Sequence, residues 1–280
     1  HPPTYTPPTP HFVGTHIQEQ GKCNCPDFTP ARVADASLWV GRQANSGWVM
    51  DTKISNHVRL AEFIQYTNVR PDATRQEMLA HLETSLEYGF NAAMIPMCWV
   101  PLGREVLAGS PVRLATCIGL GLGHESLHAK IAMLRECRAL GADEVDYEPN
   151  MGFFLSGMYA EFQEEAAAIV RAAEGMPVKA MLELGYIKDE NERRHAVRLL
   201  DEAGVPWVKN SSGWGAGSEA ASPENIRLIR ETVRRAHVKA SGKINTYEKA
   251  IALLEAGAEL LGTSSGPAII QMSQGDDAGY

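Results

Sequence analysis

The feature that most constrains the fold is a rhythm that begins at His57. From there, short apolar runs alternate with stretches of amphipathic helical pattern almost to the C-terminal end. Eight runs read as strands: IQYTNV (64–69), AAMIPM (92–97), RLATCIG (113–119), EVDYEPN (144–150), VKAMLELG (178–185), WVKNSSG (207–213), HVKASG (237–242) and LLGTSS (260–265). Between them lie helical stretches such as TRQEMLAHLETSLEYG, SLHAKIAMLRECRALG, EFQEEAAAIVRAAEG, ENERRHAVRLLDEAG, ENIRLIRETVRRA and YEKAIALLEAG. Gly89, Gly141, Gly175, Gly204 and Gly257 stand where a helix C-terminal cap needs left-handed backbone. Ser222-Pro223 supplies an N-cap followed by proline at the first helical position. Asn245 to Glu248 reads as a capping box.

Strand-then-helix repetition over this length predicts an α/β fold, a (β/α)8 TIM barrel. An open, doubly wound sheet is the rival, but it usually carries a glycine-rich phosphate loop after its first strand, and the sequence has none there. Residues 1–56 are expected to form an arm without a core of its own. HPPTYTPPTPHF is proline-rich, and DASLWVGRQ is expected to add a short helix. Residues 57–280 are expected to hold the barrel and a C-terminal tail.

Composition narrows the function classes. The formal net charge is −8, which argues against a nucleic-acid binder, since such proteins present a basic face. No apolar run is long enough to cross a membrane, and no signal-peptide pattern is visible. Five cysteines, an odd number with three in apolar segments, fit a reduced, cytoplasmic protein. Cys23 and Cys25 form a lone C-x-C with nothing nearby to complete a metal site.

Chemistry in a TIM barrel gathers at the C-terminal ends of the strands. Two neighbouring strands carry a lysine in the same frame there, Lys209 in VKNSSG and Lys239 in VKASG. If the register is shared, both point into the barrel at one height. Burial and like charge each push a lysine pKa down. A neutral lysine attacks carbonyl groups and forms a Schiff base. Asp146, on the fourth strand, is a carboxylate within reach to move a proton.

From about residue 61 to residue 270, the chain resembles the deoxyribose-phosphate aldolase family of class I aldolases. The resemblance rests on blocks in order: TNVRPDATRQEM, EYGFNAAMIPMCWVPL, GADEVDYEPNMGFFLSG, VKAMLELGYIKDE, WVKNSSG, VKASGKINTYEKAIAL and AGAELLGTSSG. It implies a TIM barrel in which Lys209 is the Schiff-base lysine, Lys239 depresses its pKa, and Asp146 is the acid/base group acting through water. It implies that Gly242, Ser264 and Ser265 hold a substrate phosphate, with Ser211 in the turn after Lys209. It also implies reversible cleavage of 2-deoxyribose 5-phosphate to acetaldehyde and glyceraldehyde 3-phosphate. The iminium serves as electron sink, so no cofactor or metal is expected. A small-molecule aldehyde or sugar is the expected partner, and the protein is expected to be a homo-oligomer. Tyr280 stands where some relatives place a terminal tyrosine that reaches the site.

Four positions depart from the family pattern. Trp214 stands where a phosphate-binding lysine is expected, and Lys243 follows Gly242 in place of a second glycine. Gln65 replaces a first-strand aspartate, and Glu148 replaces an apolar residue two places after Asp146. Strand alternation puts Asp146 and Glu148 on one face. Two readings of Glu148 stay open: a buried ion pair with Lys179, or recognition of an amine or hydroxyl on a different substrate. Two other functions remain beside the family reaction: a related Schiff-base lyase or aldolase with an unphosphorylated or amino-bearing substrate, and a non-catalytic barrel that only binds. His124-Glu125-Ser126-Leu127-His128 matches the H-E-x-x-H zinc pattern but lacks a third ligand, so it is discounted. Cys98 and Cys117 are expected on strands as core residues, and His237 is expected to face the barrel or serve a structural role.

Overall fold

A computed structural model describes residues 60–272. The N-terminal arm, its expected short helix, the Cys23/Cys25 pair and Tyr280 lie outside the described residues. Eight strands form the centre: β1 (Ile64–Thr67), β2 (Ala92–Met94), β3 (Arg113–Ile118), β4 (Glu144–Tyr147), β5 (Val178–Met181), β6 (Trp207–Lys209), β7 (His237–Ser241) and β8 (Leu260–Thr263). They close in sequence order into a barrel. Every neighbouring pair is parallel, including β8 back to β1. This is the (β/α)8 TIM barrel expected from the rhythm, and every strand falls inside its expected run.

The connecting helices are α1 (Arg75–Tyr88), α2 (Val100–Val106), α3 (Leu127–Leu140), α4 (Met151–Leu155), α5 (Tyr159–Ala172), α6 (Glu190–Glu202), α7 (Pro223–Thr232), α8 (Tyr247–Glu255) and α9 (Gly266–Ile270). The six helical stretches read from the sequence are all present. Three short helices, α2, α4 and α9, were not expected. VPLGREV carries a proline and a glycine, and α4 and α9 are only five residues each, too short to show a helical period. Gly89 and Gly141 cap α1 and α3 in left-handed backbone, as expected. Ser222 caps α7 by accepting from the Asn225 amide. The capping box expected at 245–248 is corrected. Thr246 is the N-cap and accepts from Lys249, so the residue three places on is a lysine and not the glutamate. A full capping box forms instead between Thr74 and Glu77 at the start of α1.

Strand alternation divides the molecule into two environments. Outward residues such as Val145, Tyr147, Val178, Ala180, Val208, Val238 and Leu261 join the large apolar layer under the helices. The inward set is largely polar: Gln65, Glu144, Asp146, Lys179, Lys209, Lys239 and Ser241 are all buried. A separate small apolar cluster of Val69, Ala92, Met94 and Ala115 forms on the β2–β3 side, with Cys117, Leu120 and Trp214 packed against it. Cys98 is not on a strand; it is exposed in a short 3-10 turn, Met97–Trp99.

The loops over the barrel mouth are fastened from below. Lys130 on α3 is buried and donates to Gly123 O (2.6 Å), Glu148 O (2.9 Å) and Glu165 Oε1 (2.9 Å). Glu165 on α5 also accepts from the Asn150 amide at 2.8 Å. One ion pair thus joins the loops after β3 and β4. Removing one partner strands the other charge in the interior, which typically costs about 3–5 kcal/mol. Lys130→Met is therefore expected to lower the urea unfolding free energy by roughly that amount. Adding Glu165→Leu to it is expected to restore part of the loss, because no lone charge remains. A double variant less stable than the single would contradict this account.

Candidate active site

Lys209 and Lys239 are directly paired across β6 and β7 in the strand register. Both amines reach one carboxylate oxygen: Asp146 Oδ2 accepts from Lys239 Nζ at 2.7 Å and from Lys209 Nζ at 3.2 Å. The other oxygen, Oδ1, accepts no hydrogen bond from a described residue and lies 3.6 Å from Lys179 Nζ. The structure therefore brings Lys209, Lys239 and Asp146 together, and Lys179 with them.

Below this group lies a second carboxylate. Glu144 is two residues before Asp146 on β4 and points the same way. Its Oε2 is 2.7 Å from Lys179 Nζ, an ion pair without hydrogen-bond alignment, and 3.6 Å from the half-exposed Arg113 guanidinium. Lys179 thus pairs with Glu144 and Asp146, which overturns the Lys179–Glu148 ion pair, one of the two readings left open for Glu148. The reason is register: Lys179 is opposite Asp146, one layer deeper than Glu148. Gln65 links the two layers. Its Oε1 accepts from Lys239 Nζ at 2.6 Å, and its Nε2 donates to Glu144 Oε1 at 2.5 Å and Asn91 Oδ1 at 3.1 Å.

These contacts set the protonation states. Burial pushes the Asp146 carboxyl up, but Lys239, Lys209 and Lys179 together outweigh it and hold the carboxyl well below the usual range. Burial pulls the Lys239 ammonium down, Asp146 opposes, and Lys209 and Lys179 pull it further, to about 7. Cys117, in register with Asp146, is pushed up to about 12 by burial and by the Asp146 charge, so it is a neutral thiol.

The turn after Lys209 is clamped on both sides. The Asn210 amide donates to Ser241 O (2.9 Å) and its Oδ1 accepts from Ser241 N (2.8 Å), tying β6 to β7. Glu183, at the end of β5, accepts from the Ser212 amide and from Ser211 Oγ (3.2 Å). Ser211 Oγ also accepts from the Gly213 and Glu219 amides, at 3.1 and 3.2 Å. Ser211 is thus held within the turn's own network. Glu183 has left-handed backbone (φ 45°), an unfavourable state for a non-glycine residue, kept by these contacts.

At the mouth, Glu148 is buried and accepts from the Gly121 amide at 2.5 Å. Burial first, then Glu183, pushes its carboxyl up to about 8. Trp214 packs against the apolar β2–β3 wall and over Gly121, with its indole nitrogen buried and without a described hydrogen-bond partner. On the other side, Thr263 Oγ1 donates to Ile244 O (2.5 Å) and accepts from Ser265 N (2.9 Å). This joins the Gly242–Lys243 turn to Ser264 and Ser265. Gly242 has φ 102°, and a Cβ there would lie 2.8 Å from Glu219 O, so only glycine fits. Lys243 is exposed and Ser264 half-exposed.

Other marked residues lie elsewhere. His237 is exposed, stacks on Trp207 and meets Glu259 Oε2 at 2.6 Å, away from Asp146 and its lysines. His124 precedes the Ser126 cap of α3, so it and His128 do not share a helix face. Glu144 and the linking role of Gln65 were missed in the sequence. The E-x-D spacing in EVDY was the signal for Glu144, since alternation puts both acids on one face.

No family model matches the chain. Individual relatives do. A deoxyribose-phosphate aldolase of Brevibacillus brevis is 37% identical over 225 residues, covering 80% of this chain and all (100%) of the relative. One of Methanocella arvoryzae is 36% identical over 221 residues, covering 78% of this chain and 97% of the relative. Among solved structures, a putative deoxyribose-phosphate aldolase from Coccidioides immitis superposes with TM-score 0.73 at 28% identity, over 77% of this chain and 86% of that one. The deoxyribose phosphate aldolase from Aeropyrum pernix, described as having a unique tetrameric structure, superposes with TM-score 0.71 at 26% identity, over 78% of this chain and 92% of that one. Polar strand-end geometry and these relatives agree: the chain belongs to the deoxyribose-phosphate aldolase family of carbon–carbon lyases.

Proposed function

We propose that the protein makes and breaks a carbon–carbon bond through a Schiff base on Lys209, with 2-deoxyribose 5-phosphate or a close relative as the sugar. The observation that carries this is the sharing of Asp146 Oδ2 by two lysine amines in register on β6 and β7. In the synthetic direction Lys209 Nζ adds to the carbonyl carbon of acetaldehyde and water leaves. The resulting iminium withdraws electrons, so a proton on the neighbouring carbon is released and an enamine forms. The enamine carbon attacks the acceptor aldehyde, and hydrolysis frees the product and the amine. Asp146 Oδ1, buried and without a hydrogen-bond partner among the described residues, is the base that moves this proton through water. Lys239 keeps its bonds to Asp146 and Gln65 beside Lys209, and the pair as a unit gives up one proton near neutrality, which leaves an uncharged amine for the attack.

Five buried ionisable groups meet here: Lys179, Lys209 and Lys239 against Glu144 and Asp146. Fully charged, they leave one excess positive charge in the interior. Loss of one proton balances the group, and the lysine pull toward about 7 places that loss near neutrality. kcat/KM is expected to rise with pH through about 7 and to plateau above it. A profile flat from pH 6 to 8 would contradict this. Trapping with acetaldehyde and cyanoborohydride is expected to add a reduced adduct to Lys209, lost in Lys209→Ala. If no carbonyl compound leaves an adduct, the barrel only binds its ligand.

The acceptor end favours a second, finer reading. Glu148 has no lysine partner on its carboxylate among the contacts described, is raised to about 8, and lies one layer above Asp146. At neutral pH it is an uncharged acid able to donate to a hydroxyl of the acceptor. Trp214 lines the mouth without charge, and the Gly242–Lys243 turn with Ser264 and Ser265 supplies an anion end opposite. A homo-oligomer fits the tetramer described for the Aeropyrum pernix protein. Glu148→Ala is expected to lower kcat/KM for glyceraldehyde about tenfold, roughly one buried hydrogen bond, and to leave propanal nearly unchanged. Equal losses on both acceptors would remove Glu148 from acceptor recognition.

A further inference from the structure

The Schiff-base reading leaves Gln65 unexplained. It is completely buried inside the barrel, where the family pattern has an acid. Its three contacts lead to Lys239, Glu144 and Asn91. An amide is uncharged, so it can accept from Lys239 without stabilising the ammonium as a carboxylate would. Its other end cannot release Glu144, since Nε2 only donates. The amide orientation is fixed by this pairing: an ammonium needs the oxygen, and a carboxylate needs the nitrogen.

We propose that Gln65 is a positioning residue that orients Lys239 on Asp146 and, by offering an oxygen without charge, sets the pH at which the lysine pair releases its proton. The claim rests on the Schiff-base reading above and deepens it. Every group facing Lys239 enters the balance. Gln65 comes from β1, Glu144 and Asp146 from β4, Lys179 from β5 and Lys209 from β6, while β8 offers only Leu260 and Gly262 at that level. From β3, Cys117 is a neutral thiol and Arg113 is half exposed at the far end, paired with Glu144. His237, on β7 itself, is exposed and held by Glu259. With an acid at position 65, the carboxylates would number three against three lysines, and all six in their charged forms would carry no excess charge. With glutamine there is one carboxylate fewer, and a proton is released more easily.

The test is the pH dependence of cyanoborohydride trapping of acetaldehyde on Lys209, followed by mass. In the unsubstituted enzyme trapping is expected to rise through about pH 7, as above. Gln65→Glu is expected to move the midpoint up by about one pH unit or more, so that trapping on the acid side falls about tenfold while the high-pH rate persists. Gln65→Met keeps the volume, adds no charge and removes the acceptor; it is expected to move the midpoint down. Damage to packing alone would lower the plateau in both variants without moving midpoints in opposite directions. Midpoints that stay at the unsubstituted value in whichever variant folds overturn the role of Gln65 and leave the Schiff base standing. Absence of any adduct in the unsubstituted enzyme overturns both.

Discussion

Asp146 is one carboxylate surrounded by three buried amines, and much of the interior is arranged around it. Moving even one charged group out of water costs several kcal/mol in a protein interior. The barrel tolerates five because the two carboxylates offset two of the three lysine charges and because the outward strand faces supply a separate apolar core. Division of labour between the two faces of each strand makes this workable. Val145 and Tyr147 pack under the helices while Glu144 and Asp146, on the same strand, face the axis.

The mouth is built so that this arrangement has a fixed geometry. Asn210 locks the end of β6 to β7, and Glu183 locks the following turn to the end of β5. Lys209 is thereby held on a strand whose end is pinned on both sides. The two sides of the mouth differ in character. The Gly242–Ile244 turn, with the exposed Lys243, is tied to Thr263, Ser264 and Ser265, while Trp214, Leu120 and Glu148 present an apolar and acidic wall.

Much of this was legible in the sequence, and the limits have physical causes. Strand runs, long helices and glycine caps are local: a period or a backbone preference encodes each within a dozen residues. Lys209, Lys239 and Asp146 were readable because alternation fixes which way a strand residue points, and the shared V-K frame implied a shared height. The Lys179–Glu148 pair, one of two open readings, named the wrong partner for Lys179. Alternation says that Glu144, Asp146 and Glu148 share a face, but not which of them lies level with a residue on β5; the sheet register decides that. The cap at Thr246 was misjudged by one residue, and Cys98 lies four residues beyond the end of β2. There the signal rests on single hydrogen bonds at element ends, where neighbouring choices differ by about 1 kcal/mol.

By itself the sequence determined the architecture, the strand order and the identity of the lysines and aspartate that meet inside the barrel. These follow from periodicity, from chirality-limited connections between parallel strands and from the direction of alternating side chains. Only the tertiary structure decided the partners. Gln65 is 174 residues from Lys239, and Lys209 is 63 residues from Asp146. Contacts at such separations depend on closure of the barrel and its stagger, which no local window contains. Protonation follows from those contacts: a lysine letter carries an ordinary basic pKa, and only burial beside two other lysines and one carboxylate brings Lys239 down toward neutrality.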